Sequence, residues 1–179
     1  MSNKGSKRPM AFTFVVQKQV EFSETDMAGI VHFSNFFRMM EAAEHAFLRS
    51  LGVSVHSTGP AGTTGWPRVK ASCDYRKPLR FEETVAIELS IAEVRSRSVC
   101  YRFVFRRESG EEVAVGELVV VHAKVDPEKR VLEASPIPEP LKSWLMERVT
   151  PLASASPQPA ERELRTVGAP GGTIHHREA

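Results

Sequence analysis

Residues 21–52 read EFSETDMAGIVHFSNFFRMMEAAEHAFLRSLG and contain the clearest periodic pattern in the chain. The large apolar residues recur at helical spacing on one stripe: Phe33, Phe36, Phe37, Met40, Phe47, Leu48 and Leu51. The opposite face carries Asn35, Arg38, His45 and Arg49. Gly52 directly after the stripe is typical of a helix end. The pattern predicts one helix of about 18 residues, beginning near His32 or Phe33, whose apolar face needs a cover.

Extended segments lie on both sides of this helix. Residues 12–24 alternate loosely and are predicted to form a strand, and residues 57–65 are predicted to be a glycine-rich loop. Four further strands are predicted at residues 67–75, 84–94, 98–107 and 112–125, and a short amphipathic helix at 141–149. Consecutive strands beside one long helix favour an α+β fold with an antiparallel sheet curved around that helix.

The two ends of the chain differ from the middle in composition. Residues 1–10 are small, polar and basic and are predicted to be a disordered N-terminus. Residues 151–179 are rich in Pro, Ala, Gly and Ser, which cannot bury enough apolar surface to offset the entropy of ordering, so we expect a flexible tail. Residues 11–150 carry all the periodic patterning and form the predicted domain.

Composition excludes several classes of function. The 24 basic and 22 acidic residues nearly cancel, so the charge favours neither a nucleic-acid nor a membrane partner. The chain has no apolar run of about 18 residues, and its basic start lacks the pattern of a signal peptide. Cys73 and Cys100 belong to no metal or disulfide motif and are predicted to be thiols in a reducing cytoplasm. The long helix has no His-Glu-x-x-His pattern, and no metal is predicted.

A carboxylate stands directly before the long helix. Asp26 follows the first predicted strand, Gly29 permits a tight turn, and the helix begins a few residues later. The unpaired amides of a helix start carry partial positive charge and could stabilise an oxyanion, while the carboxylate attacks a carbonyl group or activates water. From spacing alone, Asp26 could equally be a turn or cap residue.

The longer stretch resembles the 4-hydroxybenzoyl-CoA thioesterase family, and within it the YbgC-like acyl-CoA thioesterase branch. The residues that carry this resemblance are the D-x-x-G-I-V run at 26–31, Phe36, Glu41 and the segment YRKPLRF at 75–81. The resemblance spans roughly residues 14–125 and implies a hotdog fold: a five-stranded antiparallel sheet around one long helix, plus the short C-terminal helix. It places the catalytic carboxylate on Asp26, the oxyanion-binding amide on Phe33, and the turn on Gly29.

Other residues are predicted to bind the substrate. Many members of the branch have a histidine seven positions after the aspartate, where this chain has Phe33. The histidine of this chain, His32, lies one residue earlier, which rotates its side chain by about 100° around the helix axis. The predicted substrate-binding residues are His32, Val31, Phe36, Glu41, Trp66, Arg95 and Arg97. Arg95 and Arg97 are the predicted contacts for the CoA phosphates, and a wider set of candidate basic residues includes Arg76 and Lys77. Glu41 lies at the edge of the apolar stripe and Glu44 inside it, where a carboxylate needs hydrogen bonds or a cation.

The resemblance implies an acyl-CoA substrate, which brings its own CoA, so no separate cofactor is expected. It also implies a homodimer with sheets continuous across the interface, and a dimer of such dimers. Two alternatives remain open at this point. One is a hotdog dehydratase or hydratase that uses His32 with a carboxylate. The other is an acyl-CoA binding module without turnover.

Overall fold

A computed structural model of the protein describes residues 12–59, 62–126 and 131–150. In chain order its elements are β1 (Phe14–Gln19), a 3-10 turn (Phe22–Glu24), α1 (Phe33–Ser50), β2 (His56–Gly59), β3 (Gly62–Gly65), β4 (Arg68–Tyr75), β5 (Thr84–Val94), β6 (Ser98–Arg107), β7 (Glu112–Val121), β8 (Ala123–Asp126), β9 (Val131–Ala134) and α2 (Glu139–Met146). The predicted N-terminus 1–10 and tail 151–179 lie outside the described residues, as does residue 11 of the predicted domain.

Five strands form one antiparallel sheet in the order β1-β5-β6-β7-β4. Along β5 and β6 the side chains alternate between buried and half-buried, as expected when one face of a sheet packs on a helix. Paired residues such as Ile87 and Phe105 are both buried in the core that the sheet shares with α1. The predicted fold class, a hotdog fold with one long helix and a short C-terminal helix, is confirmed.

The long helix α1 has the predicted length and position. It contains 18 residues, and Gly52 after it has φ +71°, the left-handed conformation that glycine adopts readily at a helix end. The predicted apolar stripe supplies four of its eight buried residues, Phe36, Met40, Phe47 and Leu48. One part of the prediction is wrong: Asn35, assigned to the polar face, is buried. Its side-chain amide donates to the Glu24 carbonyl oxygen at 2.7 Å, which fixes the start of α1 to the preceding turn.

Gly116 on β7 packs directly against a side chain of α1. A Cβ atom at this position would overlap the sulfur of Met40 and lie 3.2 Å from the Ser72 carbonyl oxygen. Met40 is fully buried, so its side chain has no free space into which it could move. Glycine at position 116 therefore sets the distance between α1 and the middle of the sheet.

A buried ion pair also joins α1 to the sheet. Glu44 has no exposed surface, and its Oε2 accepts a hydrogen bond from Arg68 at 2.7 Å. Arg68, the first residue of β4, also pairs with Glu41 at 3.1 Å. Among the described residues, neither Glu44 Oε1 nor the buried Tyr101 hydroxyl has a hydrogen-bond partner. Burial raises the pKa of Glu44 to about 7, although Arg68 opposes that shift.

The structure contains a second sheet, in the order β2-β3-β8-β9, which contradicts two predictions. The predicted loop 57–65 contains a hairpin in which Ser57 pairs with Thr64 and Thr58 with Thr63. These strands are largely exposed and lack the alternation that identifies a strand in sequence. The predicted strand 112–125 is divided at His122 into β7 and β8, which belong to different sheets.

The short helix α2 covers one end of the core. It begins two residues before the predicted position 141 and ends at Met146. Leu145 is fully buried, and the Trp144 ring packs on Phe12 and Phe47 at centroid distances of 5.6 and 5.9 Å. Helix α2 therefore closes the end of the apolar core opposite the start of α1.

Candidate active site

The turn between the 3-10 turn and α1 holds Asp26 in place. Thr25 and Val31 form a β-bridge, and the Gly29 amide donates to the Asp26 carbonyl oxygen at 2.9 Å. Gly29 has φ +70°, which explains why the turn needs glycine. Asp26 Oδ1 accepts hydrogen bonds from the amides of Ala28 and Ile30 at 2.8 and 3.4 Å. Asp26 Oδ2 accepts none from the described residues, so it remains available for a ligand.

His32 caps the start of α1. Its Nδ1 lies 2.8 Å from Ser34 Oγ and accepts from the Ser34 amide at 3.4 Å, and its ring packs on Phe33. The His32 amide donates to the Glu24 carbonyl oxygen, which joins the cap to the 3-10 turn. Within the described chain, the Phe33 amide has no hydrogen-bond acceptor. An unpaired donor at the positive end of a helix can bind a negatively charged oxygen.

Asp26 and Phe33 line the same cavity, of about 360 Å³. The other lining residues are Ile30, Val31, Phe36, Tyr75, Arg76, Lys77, Pro78 and Leu79. They combine an aromatic and aliphatic wall with two cations. A cavity of this kind suits a ligand whose apolar group lies against the wall and whose carbonyl lies between the carboxylate and the amide. Anionic groups of the same ligand would lie at the two cations.

Tyr75 and the segment after it form the wall opposite the helix start. The Tyr75 hydroxyl donates to the Phe33 carbonyl oxygen at 3.2 Å, and its ring packs edge-on against Phe36 at 5.2 Å. Desolvation raises the pKa of Tyr75 to about 12, and the charge of the neighbouring Cys73 thiolate would act in the same direction. The sequence predicted a family-like stretch at YRKPLRF and named Arg76 and Lys77 among the candidate cations, but it assigned no role to Tyr75. The contact spans 42 residues of sequence, which no local pattern reveals.

The cavity gathers some predicted site residues and leaves others elsewhere. Asp26, Val31, Phe33 and Phe36 line it, and Gly29 and His32 shape the turn and the cap beside it. The remaining predicted residues do not line this cavity of the described chain. Glu41 pairs with Arg68, Trp66 packs on His122 at 5.0 Å, Arg95 pairs with Glu93, and the carbonyl of Arg97 accepts from the His122 amide. Arg76 and Lys77, from the wider basic set, do line the cavity.

Arg76 and Lys77 are partly neutralised by neighbouring carboxylates. Arg76 forms an ion pair with Glu112, and Lys77 Nζ lies 3.9 Å from Glu111. Both cations keep more than half of their side-chain surface exposed, so they could still approach an anionic ligand. In the described part of the chain, no group of three or more His, Cys, Asp or Glu side chains could hold a metal ion, and no helix is long and apolar enough to span a membrane.

Comparison with known proteins gives a consistent result. The model of the thioesterase-like superfamily matches residues 20–145. A putative esterase of Aquifex aeolicus is 31% identical over 72% of this chain and 98% of its own length. A 1,4-dihydroxy-2-naphthoyl-CoA hydrolase of Synechocystis is 26% identical over 72% of this chain and 91% of its own length.

Solved structures extend the likeness to three dimensions. The crystal structure of a 1,4-dihydroxy-2-naphthoyl-CoA thioesterase from Synechocystis superposes with a TM-score of 0.67 at 25% identity, covering 76% of this chain and 97% of that one. A gentisyl-coenzyme A thioesterase superposes with a TM-score of 0.61 at 31% identity, covering 72% and 98%. The match of the superfamily model over most of the chain is decisive, and the chain belongs to the thioesterase-like superfamily.

Proposed function

We propose that this protein hydrolyses an acyl-CoA thioester to a free acid and CoA. The observation that carries the proposal is the pairing, on one cavity, of Asp26 and the Phe33 amide. Within the described chain, Asp26 Oδ2 accepts no hydrogen bond and the Phe33 amide donates none. Superfamily membership and the names of the relatives support the same reaction. Assignment to the YbgC-like branch in particular stays a prediction.

The proposed chemistry needs only groups of this chain and water. With the thioester carbonyl oxygen directed at the Phe33 amide, the negative charge that develops on attack is stabilised by that donor and by the positive end of α1. Ionised Asp26 either attacks the carbonyl carbon, giving a mixed anhydride that water later cleaves, or takes a proton from the attacking water. In both routes the carbon–sulfur bond breaks and CoA leaves as a thiolate, which then takes up a proton.

We further propose that the acyl group is aromatic. Phe33, Phe36 and Tyr75 form much of the cavity wall, and aromatic rings pack favourably edge-to-face or offset. Two of the similar proteins are named for thioesters of dihydroxynaphthoic and gentisic acids. Arg76 and Lys77 at the same cavity are better placed for CoA phosphates than the predicted Arg95 and Arg97, which lie in the β5–β6 turn.

A panel of acyl-CoA substrates tests this function. We expect thiol release from aromatic acyl-CoA thioesters with kcat/KM about fivefold or more above that for straight-chain acyl-CoA of similar size, since one well-packed ring contributes on the order of 1 kcal/mol. Released CoA is measured with a thiol reagent. A preference for straight chains would contradict the aromatic assignment, and absence of turnover across the panel would contradict hydrolysis.

His32 distinguishes hydrolysis from the dehydratase alternative. Because Nδ1 of His32 caps the helix, we expect His32→Asn, whose amide oxygen can accept in place of Nδ1, to lower thioesterase turnover less than tenfold. His32→Ala should in addition lower the free energy of unfolding by about 1 kcal/mol. The measurements are thiol release and thermal unfolding of both variants. A dehydratase whose acid or base is His32 would instead lose all activity in His32→Asn.

We also propose that the protein is a homodimer, and a dimer of such dimers. β4 lies at an edge of the five-stranded sheet and exposes Val69 by 63% and Tyr75 by 47%. An exposed strand edge carrying apolar side chains readily pairs with another strand. Pairing of β4 with its copy would make the sheets continuous and would cover the open side of the cavity next to Tyr75.

A further inference from the structure

We propose that Tyr75 is a positioning residue for this reaction, a role that rests on the proposed hydrolysis. Its hydroxyl group binds the carbonyl oxygen of the first residue of α1, and that same residue offers its amide to the substrate. The bond joins the last residue of β4 to the start of the helix. Tyr75 thereby holds the oxyanion-binding amide in place without touching the reacting atoms.

The start of α1 needs such a tie. The first residues of a helix lack intrahelical partners for their amides and fray readily. His32 caps Ser34 with a long hydrogen bond of 3.4 Å, and Asn35 anchors the turn one residue further on. The Phe33 side chain is 59% exposed and contributes little packing of its own. The Tyr75 hydroxyl is the side-chain group of the described chain that binds the Phe33 backbone itself.

Tyr75 is itself held rigidly enough for this role. Its ring packs on Phe36, and Phe36 packs edge-on against Phe105 of β6 at 5.2 Å, so an aromatic chain runs from the sheet to the cavity. With a pKa raised to about 12, the phenol keeps its proton at neutral pH and remains a donor. The Phe33 amide that Tyr75 holds in place can then act as a fixed donor. A fixed donor contributes to catalysis because it does not have to reorganise when negative charge develops on the substrate.

Tyr75→Phe tests the hydroxyl alone, because the aromatic wall is kept. We expect kcat to fall about tenfold with KM changed less than twofold, since loosening an oxyanion donor costs less than the 10²–10³-fold loss of removing one. Tyr75→Leu removes the wall as well and should also raise KM. If the ring only packs, Tyr75→Phe keeps the parent's kcat, and that result would overturn the proposal.

Amide hydrogen exchange, followed by NMR, gives a readout that does not depend on turnover. In Tyr75→Phe we expect the amides of residues 34–37 to exchange at least fivefold faster than in the parent. Tyr101→Phe is the matched control, because it removes a buried hydroxyl that has no hydrogen-bond partner in the described chain and does not line the cavity; exchange at the helix start should not change. Unchanged exchange rates in Tyr75→Phe would overturn the proposal that the Tyr75 hydroxyl holds the start of α1 in place. If the parent hydrolyses no thioester, the proposed function fails, and the exchange experiment still decides whether Tyr75 orders the helix start.

Discussion

Asp26→Asn is expected to lower turnover of the acyl-CoA substrate by about 10³-fold or more, while the protein stays folded. Asparagine retains an oxygen that can accept the Ala28 and Ile30 amides, so the turn keeps its hydrogen bonds. It cannot act as a base and is a poor nucleophile. Thiol release under saturating substrate measures the effect, and thermal unfolding checks the fold.

Glu108→Gln is the matched control for this prediction. Glu108 lies in the turn between β6 and β7, is exposed and does not line the cavity, so its amide variant should retain the parent's turnover within about twofold. An Asp26→Asn variant with the parent's rate would refute the assigned role. A binding module would instead show no hydrolysis in the parent and equal ligand affinity in both proteins. Trapping a mixed anhydride on Asp26 would identify it as the nucleophile, whereas its absence would favour a general base.

Arg68→Met is expected to destabilise the protein by about 3 kcal/mol near pH 8 and by much less near pH 5. At pH 8 Glu44 is ionised in the parent and depends on Arg68, and removal of the cation leaves a buried charge without its partner. At pH 5 Glu44 carries a proton in the folded protein and needs no cation. Urea unfolding at the two pH values measures the difference. An equal loss at both would show that Glu44 is not the group responsible.

The parent itself should lose stability through Glu44 as the pH rises. The pKa of this carboxyl is raised by burial from its ordinary 4.5 to about 7 in the folded protein. Between those values the folded state holds a proton that the unfolded state has released, so this contribution falls with increasing pH, by about 3 kcal/mol across the window. Glu44→Gln should remove that dependence of stability on pH.

Arg102→Met is the matched control for Arg68→Met. It breaks an ion pair on the open face of the sheet and should lower the free energy of unfolding by under about 1 kcal/mol at both pH 5 and pH 8.

The sequence predicted those elements whose apolar residues are periodic. α1 and its end at Gly52 follow directly from the stripe, and β4, β5 and β6 lie within a residue of their predicted bounds. The hairpin of β2 and β3 was missed because its small polar and glycine residues are exposed or only half-buried and bury no apolar face. Asn35 was misplaced because its burial depends on a carbonyl 11 residues away.

The same limit applies to the candidate site. Asp26, Gly29 and the helix start are close in sequence, so their neighbourhood could be predicted from one stretch. The opposite wall, from Tyr75 to Leu79, comes from the end of an edge strand and is brought to Phe33 only by the packing of sheet on helix. Trp66 was predicted from its place in the loop after the long helix and Arg95 from its place between two strands, and the structure places both away from the cavity.

The contact between Gly116 and Met40 limits how this molecule can acquire new substrates. One helical turn beyond Phe36, the buried Met40 side chain fills the space between α1 and Gly116, so there is no empty space there into which the cavity could extend. A bulkier acid would have to be accommodated by remodelling around residues 76–79 and the turn at Asp26. Natural variation in substrate range is therefore expected at the entrance, while the far end of the chamber stays constant.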